Sequence, residues 1–172
     1  MPALKRDPLA DPAPLIRRVY AYVAYRIGDG PDAEDVTSEV FERAVRYRAS
    51  YSAGKGDPAS WLGGIARRCI ADLYAGRQPQ PQLEDVAGGV DVEGETVTRL
   101  TLAGAVEGLD ERDRELIALR FGADLTARQI GHVVGMRTNA VEVALHRALA
   151  RLRAELSDSS GTASLVLRPV RI

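Results

Sequence analysis

An all-α fold of two small helical domains joined by a flexible linker is predicted by three features of the sequence. Apolar residues recur at helical spacing along most of the chain. No convincing pair of alternating strand segments occurs. A stretch rich in Pro, Gln, Gly and acids at 78–94 separates two periodic regions. The boundaries that follow are a first domain at 1–77, the linker at 78–94, a second domain at 95–156 and a tail at 157–172.

A chain of 172 residues has room for one ordinary domain or two small ones, and 45% hydrophobic residues supply a core. The net charge of -1 argues against a nonspecific nucleic-acid coat, but the charges are segregated. Asp32, Glu34, Asp35, Glu39 and Glu42 share a segment without Lys or Arg. Glu84, Asp85, Asp91, Glu93 and Glu95 share another. Bases collect at Arg67, Arg68 and Arg77, and again at Arg128, Arg137, Arg147, Arg151 and Arg153. Opposite blocks in a near-neutral sum predict two kinds of partner surface. Cys69 is the single cysteine, so no internal disulfide can form, as suits a reducing compartment. Lys5 and Arg6 are followed by no apolar run, and no stretch approaches the roughly 20 residues of a membrane helix. A cytoplasmic protein without membrane insertion is expected.

The first helix is predicted over Pro12 to Ile27, with Leu15, Val19, Tyr22, Val23 and Ile27 as its apolar stripe and Gly28 and Gly30 ending it. Pro31 opens a second, whose early acids suit the positive end of the helix dipole and whose buried face is Ala33, Val36, Val40, Phe41 and Ala44. Residues 51–56 read as a loop. Asp57 then caps a third helix from Pro58 to about Arg77 that buries Leu62, Ile65, Ala66, Cys69 and Leu73. The second periodic region begins near Glu95, with Leu102, Val106 and Leu109 at helical spacing. Asp110 caps a helix containing Leu116, Ile117 and Leu119, which Phe121-Gly122 breaks. The final helix is expected to reach about Leu156, followed by a tail that is disordered or extended.

Residues 126–147 carry a helix-turn-helix pattern. Thr126 and Gln129 fit a capping box, and Ala127, Ile130, Val133 and Val134 form an apolar side. Gly131 supplies a small residue at the crossing, and Gly135 sits where the turn needs positive φ. Val141 and Leu145 anchor the second helix, whose outer face would lie in a major groove with its cations on phosphates. A plain helical hairpin is the alternative. His132 and His146 have no Cys or His partner at ligand spacing, so no metal site is predicted, and no cofactor motif occurs. Asp32, Glu34 and Asp35 are explained as helix N-terminal acids rather than as a catalytic cluster. With no Ser-His-Asp order, P-loop or dinucleotide fingerprint, an enzyme has no residues to stand on.

Two segments of the first domain and one of the second resemble a known family. Asp32-Ala-Glu-Asp-Val-Thr-Ser-Glu-Val-Phe-Glu-Arg-Ala44 resembles the region 2 signature of bacterial sigma-70 type factors, and Ala59-Ser-Trp-Leu-Gly-Gly-Ile-Ala-Arg-Arg-Cys-Ile-Ala-Asp72 continues it. Leu109-Asp-Glu-Arg-Asp-Arg-Glu-Leu-Ile-Ala-Leu-Arg-Phe121 resembles the start of region 4, and the helix-turn-helix ends in Leu145-His-Arg-Ala148. Both halves in this order resemble the small extracytoplasmic-function (group 4) sigma factors, over about residues 12–156.

The resemblance implies a promoter-specificity subunit of RNA polymerase. Its partners would be the core enzyme, through the β′ clamp helices and the β flap, promoter DNA, and an anti-sigma factor of the kind that often restrains such proteins. It places Asp35, Ser38, Glu39 and Arg43 on the polymerase. It places Lys55, Trp61, Arg67, Arg68 and Arg77 near the melted minus-ten strand, although a core role for Trp61 is an open alternative. Arg128, Arg137, Thr138, Asn139, Glu142, His146, Arg147 and Arg151 would face the minus-thirty-five element. The family usually offers Lys-Ser-Arg where Glu142-Val143-Ala144 stand, which implies weaker phosphate contact and a smaller salt dependence. Two other readings remain at this point: a stand-alone helix-turn-helix regulator, and a protein-binding decoy without DNA recognition.

Overall fold

The computed structural model describes residues 7–76 and 104–166, with side chains through residue 158. Six helices carry the fold among the described residues: α1 Pro12–Ile27, α2 Pro31–Arg46, α3 Pro58–Gly76, α4 Glu111–Ile117, α5 Ala127–Val134 and α6 Thr138–Val166. Short 3-10 turns at Arg48–Ser50 and Ala53–Lys55 occupy the connection between α2 and α3. No strand occurs among the described residues. The expected linker, Arg77 and most of the helix expected near Glu95 lie outside the described residues; of that helix, 104–107 are helical.

Local chemistry sets the helix ends. Pro31 opens α2, Asp32 and Glu34 sit in its first turn, and Arg43 and Arg46 sit in its last. Asp57 caps α3, its Oδ1 accepting from the Ser60 amide at 3.0 Å. Asp110 Oδ1 accepts from the Asp113 amide at 2.8 Å and starts α4. Thr126 and Gln129 form the reciprocal capping box of α5, with both bonds made. Gly135 ends α5 at φ 72°. Gly131 is required by the turn itself rather than by the crossing helix: a Cβ there would lie 2.5 Å from the Met136 carbonyl oxygen.

Two elements differ from expectation. Beyond Ile117 the helix does not simply break; it widens into a π turn at Ala118–Gly122 before the chain leaves. The last helix does not stop near Leu156 but runs to Val166, so residues 157–166 are neither disordered nor extended. The Ser157 hydroxyl donates to the Arg153 carbonyl at 2.9 Å, a back-bond compatible with a continuing helix.

The two predicted domains are not independent bodies. Val19, Tyr22, Val23, Leu62 and Ala66 from α1 and α3 share one buried cluster with Leu116, Leu119, Leu125, Ile130 and Val141. A second cluster, containing Val106, Leu109, Ile117, Ala148 and Leu152, holds α4 against α6. The close approach of the halves is set by a glycine: a Cβ on Gly122 would lie 2.7 Å from the Cα of Tyr22, so α1 meets the π turn backbone to backbone.

Candidate nucleic-acid and partner interface

The outer faces carry the residues that the sequence singles out. On α2, Asp35, Ser38 and Glu39 are exposed. Arg43, half-buried, is engaged twice: it bonds Glu39 on its own helix, and its Nη1 lies 2.7 Å from Asp72 Oδ2 on α3. Asp72 and Glu39 therefore hold the Arg43 pKa above its ordinary value despite the opposing effect of burial. A groove of about 410 Å³ between α2 and α3 is lined by Glu39, Arg43, Arg46, Tyr47 and Arg68. Two sets that the sequence assigns to different partners, the α2 carboxylate-arginine pair and Arg68, thus meet in one groove.

Arg67 does not join Arg68. One residue along a helix turns a side chain by about 100°, and Arg67 Nε lies 3.7 Å from Glu115 Oε1 of α4. Lys55 is exposed in the turn before α3. Trp61 is half-buried and meets Tyr51 edge-on, with ring centroids 5.4 Å apart, and the Tyr51 hydroxyl donates to the Gly56 carbonyl at 3.1 Å. Part of the ring is therefore structural and part is presented outward.

In the second half, Val141 and Leu145 are buried, as the helix-turn-helix pattern requires. The opposite face of α6 presents Thr138, Asn139, Glu142, His146 and Arg147, with Arg128 on α5 and Arg137 in the turn also exposed. Arg151 differs, since it is tied to Asp113 of α4. A groove of about 560 Å³ beside this face is lined by Asp110, Arg112, Met136, Asn139, Val143 and Arg147, among others. Among the described residues no group of three or more His, Cys, Asp or Glu side chains is arranged to hold a metal, and no helix is long and apolar enough to cross a membrane.

The inner face, between the halves, joins Arg18, Arg26, Glu111 and Glu115, to which the sequence assigns no role, with Tyr22, Asp57 and Gln129, to which it assigns only local ones. Arg26 of α1 has a side chain only 5% exposed. It bonds the Glu111 carboxylate, and its Nε lies 2.8 Å from Glu115 Oε2. The Tyr22 hydroxyl donates to Glu115 Oε1 at 2.8 Å. Burial works against the Arg26 charge, but Glu111 and Glu115 overcome it and raise its pKa. Burial, then the Glu115 charge, push the Tyr22 hydroxyl well above its usual range, so it remains a donor. Arg18 adds hydrogen bonds from Nε to the Ala123 carbonyl at 2.7 Å and from Nη2 to the Asp124 carbonyl at 2.9 Å. Asp124 itself sits at φ 53°, so Arg18 braces a strained turn. Gln129 Nε2 donates to Asp57 Oδ2 at 2.6 Å, joining the first helix of the helix-turn-helix to the cap of α3. A signal for Arg26 did exist, since it continues the 15, 19, 22, 26 spacing of an apolar stripe.

Comparison with known proteins identifies what this arrangement is similar to. The Sigma-70 region 2 family model matches residues 14–79, and the Sigma-70, region 4 model matches residues 105–154. The chain is 31% identical over 153 residues to the ECF RNA polymerase sigma factor BldN of Streptomyces coelicolor, covering 83% of this chain and 57% of that relative. It is 32% identical over 154 residues to the ECF RNA polymerase sigma factor SigD of Mycobacterium tuberculosis, covering 80% of this chain and 71% of the relative. Its fold matches that of the sigma factor RpoE of Bartonella quintana, solved in complex with the anti-sigma factor NepR, at TM-score 0.63 and 17% identity, over 83% of this chain and 92% of that one.

Proposed function

The chain belongs to the extracytoplasmic-function RNA polymerase sigma factors, and from that premise we propose how its outer faces divide the work of directing promoter-specific initiation. Regions 2 and 4 on one chain, each with an exposed polar face, are the observation that carries the reading. Asp35, Ser38, Glu39 and Arg43 dock α2 on the β′ clamp helices. The Arg43–Asp72 pair fixes α2 against α3, so docking also orients the minus-ten surface. Lys55, Trp61 and Arg68, with Arg67 and Arg77 on the same segment, attend the melted minus-ten strand. Unstacking a base costs a few kcal/mol, which a pocket and nearby cations offset.

Region 4 reads the minus-thirty-five duplex through the exposed face of α6. Arg137 and Arg147 contact phosphates, Asn139 is placed to pair with a base edge, and Arg128, Thr138, Glu142, His146 and Arg151 border the groove. Glu142 lowers the phosphate attraction of this face. The β flap and an anti-sigma factor are the remaining partners of this half. The protein performs no bond chemistry, needs no cofactor and works in the cytoplasm. Residues 1–77 form the polymerase and minus-ten domain, 78–94 the linker, 95–156 the minus-thirty-five domain and 157–172 an appendage to it.

Asp35→Ala with Glu39→Ala tests the docking face. We expect weakened pull-down of core polymerase with unchanged circular dichroism, because both side chains are exposed and Arg43 keeps Asp72. Undiminished core binding would remove α2 from the polymerase interface.

A further inference from the structure

We infer that Val143, at the centre of the outward face of α6, is a specificity-determining residue of region 4: it takes the C5-methyl group of a thymine in the major groove of the minus-thirty-five duplex, one or two base pairs from an adenine held by Asn139. The inference deepens the sigma-factor reading proposed above and rests on it.

Helical spacing puts Val143 there. Val141 and Leu145, 0% and 8% exposed, hold α6 in the core. Two residues turn a helix by about 200°, so Val143 points away from both, as do Asn139 and Arg147. Residues 139, 143 and 147 therefore stand on successive turns of one stripe, opposite the buried one. All three line the groove of about 560 Å³, together with Met136 and Ala140. The second helix of a helix-turn-helix lies in the major groove and offers residues near its N-terminus to base edges. Asn139 and Val143 lie in the first two turns of α6, which starts at Thr138.

Nothing inside the fold accounts for either side chain. Val143 is 51% exposed, the one exposed large apolar residue of the helix-turn-helix. A β-branched residue is also a weaker helix former than the Ala, Leu and Arg residues around it. Asn139 stands inside α6 rather than at its cap, is exposed, and makes no side-chain hydrogen bond among the described residues.

Chemistry then selects the bases. Thymine presents a methyl group in the major groove, and apolar side chains meet it. Adenine presents an N7 acceptor beside an N6 donor, which the Asn amide pairs with bidentately. Four residues of helix advance ~6 Å, against ~3.4 Å per base pair, so the two bases are one or two pairs apart. Arg137 and Arg147, exposed at the two ends of this surface, complement the phosphates on either side. The acids of the groove are already engaged: Asp110 caps α4, and Asp113 is paired with Arg151. An apolar centre with free cations at both ends fits duplex DNA better than it fits a protein partner.

The test uses holoenzyme made from purified core polymerase and the full chain. Bound duplexes are selected from promoter fragments of the source genome in which the upstream element is randomised. The parent should enrich an adenine and, one or two base pairs away, a thymine. Val143→Ser should lose the thymine preference alone, and Asn139→Ala the adenine preference alone. On the selected duplex, deoxyuridine in place of that thymidine removes only the methyl group. It should weaken parent binding about fourfold and leave Val143→Ser unchanged. Both sites are exposed, so the helices should persist, which circular dichroism checks. Deoxyuridine placed at each thymidine in turn without effect on the parent would overturn the inference, and so would a methyl effect that survives Val143→Ser. Val143→Ser that weakens core capture, or binding to every sequence alike, would also overturn it and give this face to a protein contact. A parent holoenzyme that enriches no upstream element would instead remove the sigma reading of region 4, and this inference with it.

Discussion

The two arginine-carboxylate assemblies anchored on region 2 use the same chemistry at opposite depths. Arg43 bridges Glu39 and Asp72 on the outside, where the Arg43 and Asp72 side chains are 27% and 61% exposed. Arg26 bridges Glu111 and Glu115 on the inside, where the Arg26 and Glu115 side chains are 5% and 9% exposed. Water competes for the first pair and screens it, so its contribution to stability is about 0–1 kcal/mol and its charge is available to a partner. In the second, Arg26 and Glu115 have lost their water while Glu111 keeps its own, so removing Arg26 strands a buried carboxylate. Depth therefore separates the two: the exposed pair can still meet a partner, and the buried one joins the halves.

The largest effect should come from breaking the inner cluster unevenly. Arg26→Ala leaves Glu115 and Tyr22 buried around an absent cation and should cost about 3–5 kcal/mol in urea unfolding, less whatever is recovered if the halves separate and rehydrate Glu115. Replacing both partners, Arg26→Met with Glu115→Leu, should restore most of that loss. A double variant as unstable as the single one would mean that the charges are not coupled.

Gly122→Ala comes next. Its Cβ would have to displace the Tyr22 backbone, an overpacking cost of about 1–3 kcal/mol. Gly64→Ala, in open space on α3, should be neutral or slightly stabilising. Equal effects at the two positions would remove the steric part of the comparison. Arg43→Ala should change stability by no more than about 1 kcal/mol while weakening core capture, the reverse of the pattern at Arg26.

The smallest effect is that of pH. The hydrogen bond from Arg26 holds the Glu111 pKa below its ordinary value of 4.5, against a smaller opposing effect of burial. A depressed folded-state pKa gives stability that is fully present above the unfolded value and is lost as pH falls through the folded one. Stability should therefore fall on acidification below about pH 4.5, with a modest amplitude because Glu111 is 67% exposed. Glu111→Gln should flatten that dependence in urea unfolding followed against pH; an unchanged acid response would place it on another carboxylate.

What the sequence revealed and what it hid divide along the same line as inside and outside. Caps and turns are local, so Asp57, Asp110, the Thr126–Gln129 box and Gly135 were legible from neighbouring residues. The outward face of α6 followed from the spacing of Val141 and Leu145. The seam between the halves joins positions such as Tyr22 and Glu115, 93 residues apart, which no periodicity connects. Arg26 sits at the spacing of an apolar stripe, where its charge gives no hint of a partner so distant in sequence, and Gly122 looked like a helix breaker rather than the clearance for Tyr22. Arg67 and Arg68 read as one basic patch, but adjacent residues on a helix point apart, and only Arg68 lines the α2–α3 groove. The run of α6 through Val166 was missed because a segment opening on Ser157-Asp-Ser-Ser160 has the composition of a tail.

The most direct test of the central claim is run-off transcription with purified core polymerase and this chain on a library of promoters from the source genome. The account predicts specific transcripts that appear only when the chain is present and that share two elements about 25 base pairs apart. Core binding without any transcript would contradict it and indicate a decoy, and promoter binding without core binding would make the protein a stand-alone regulator.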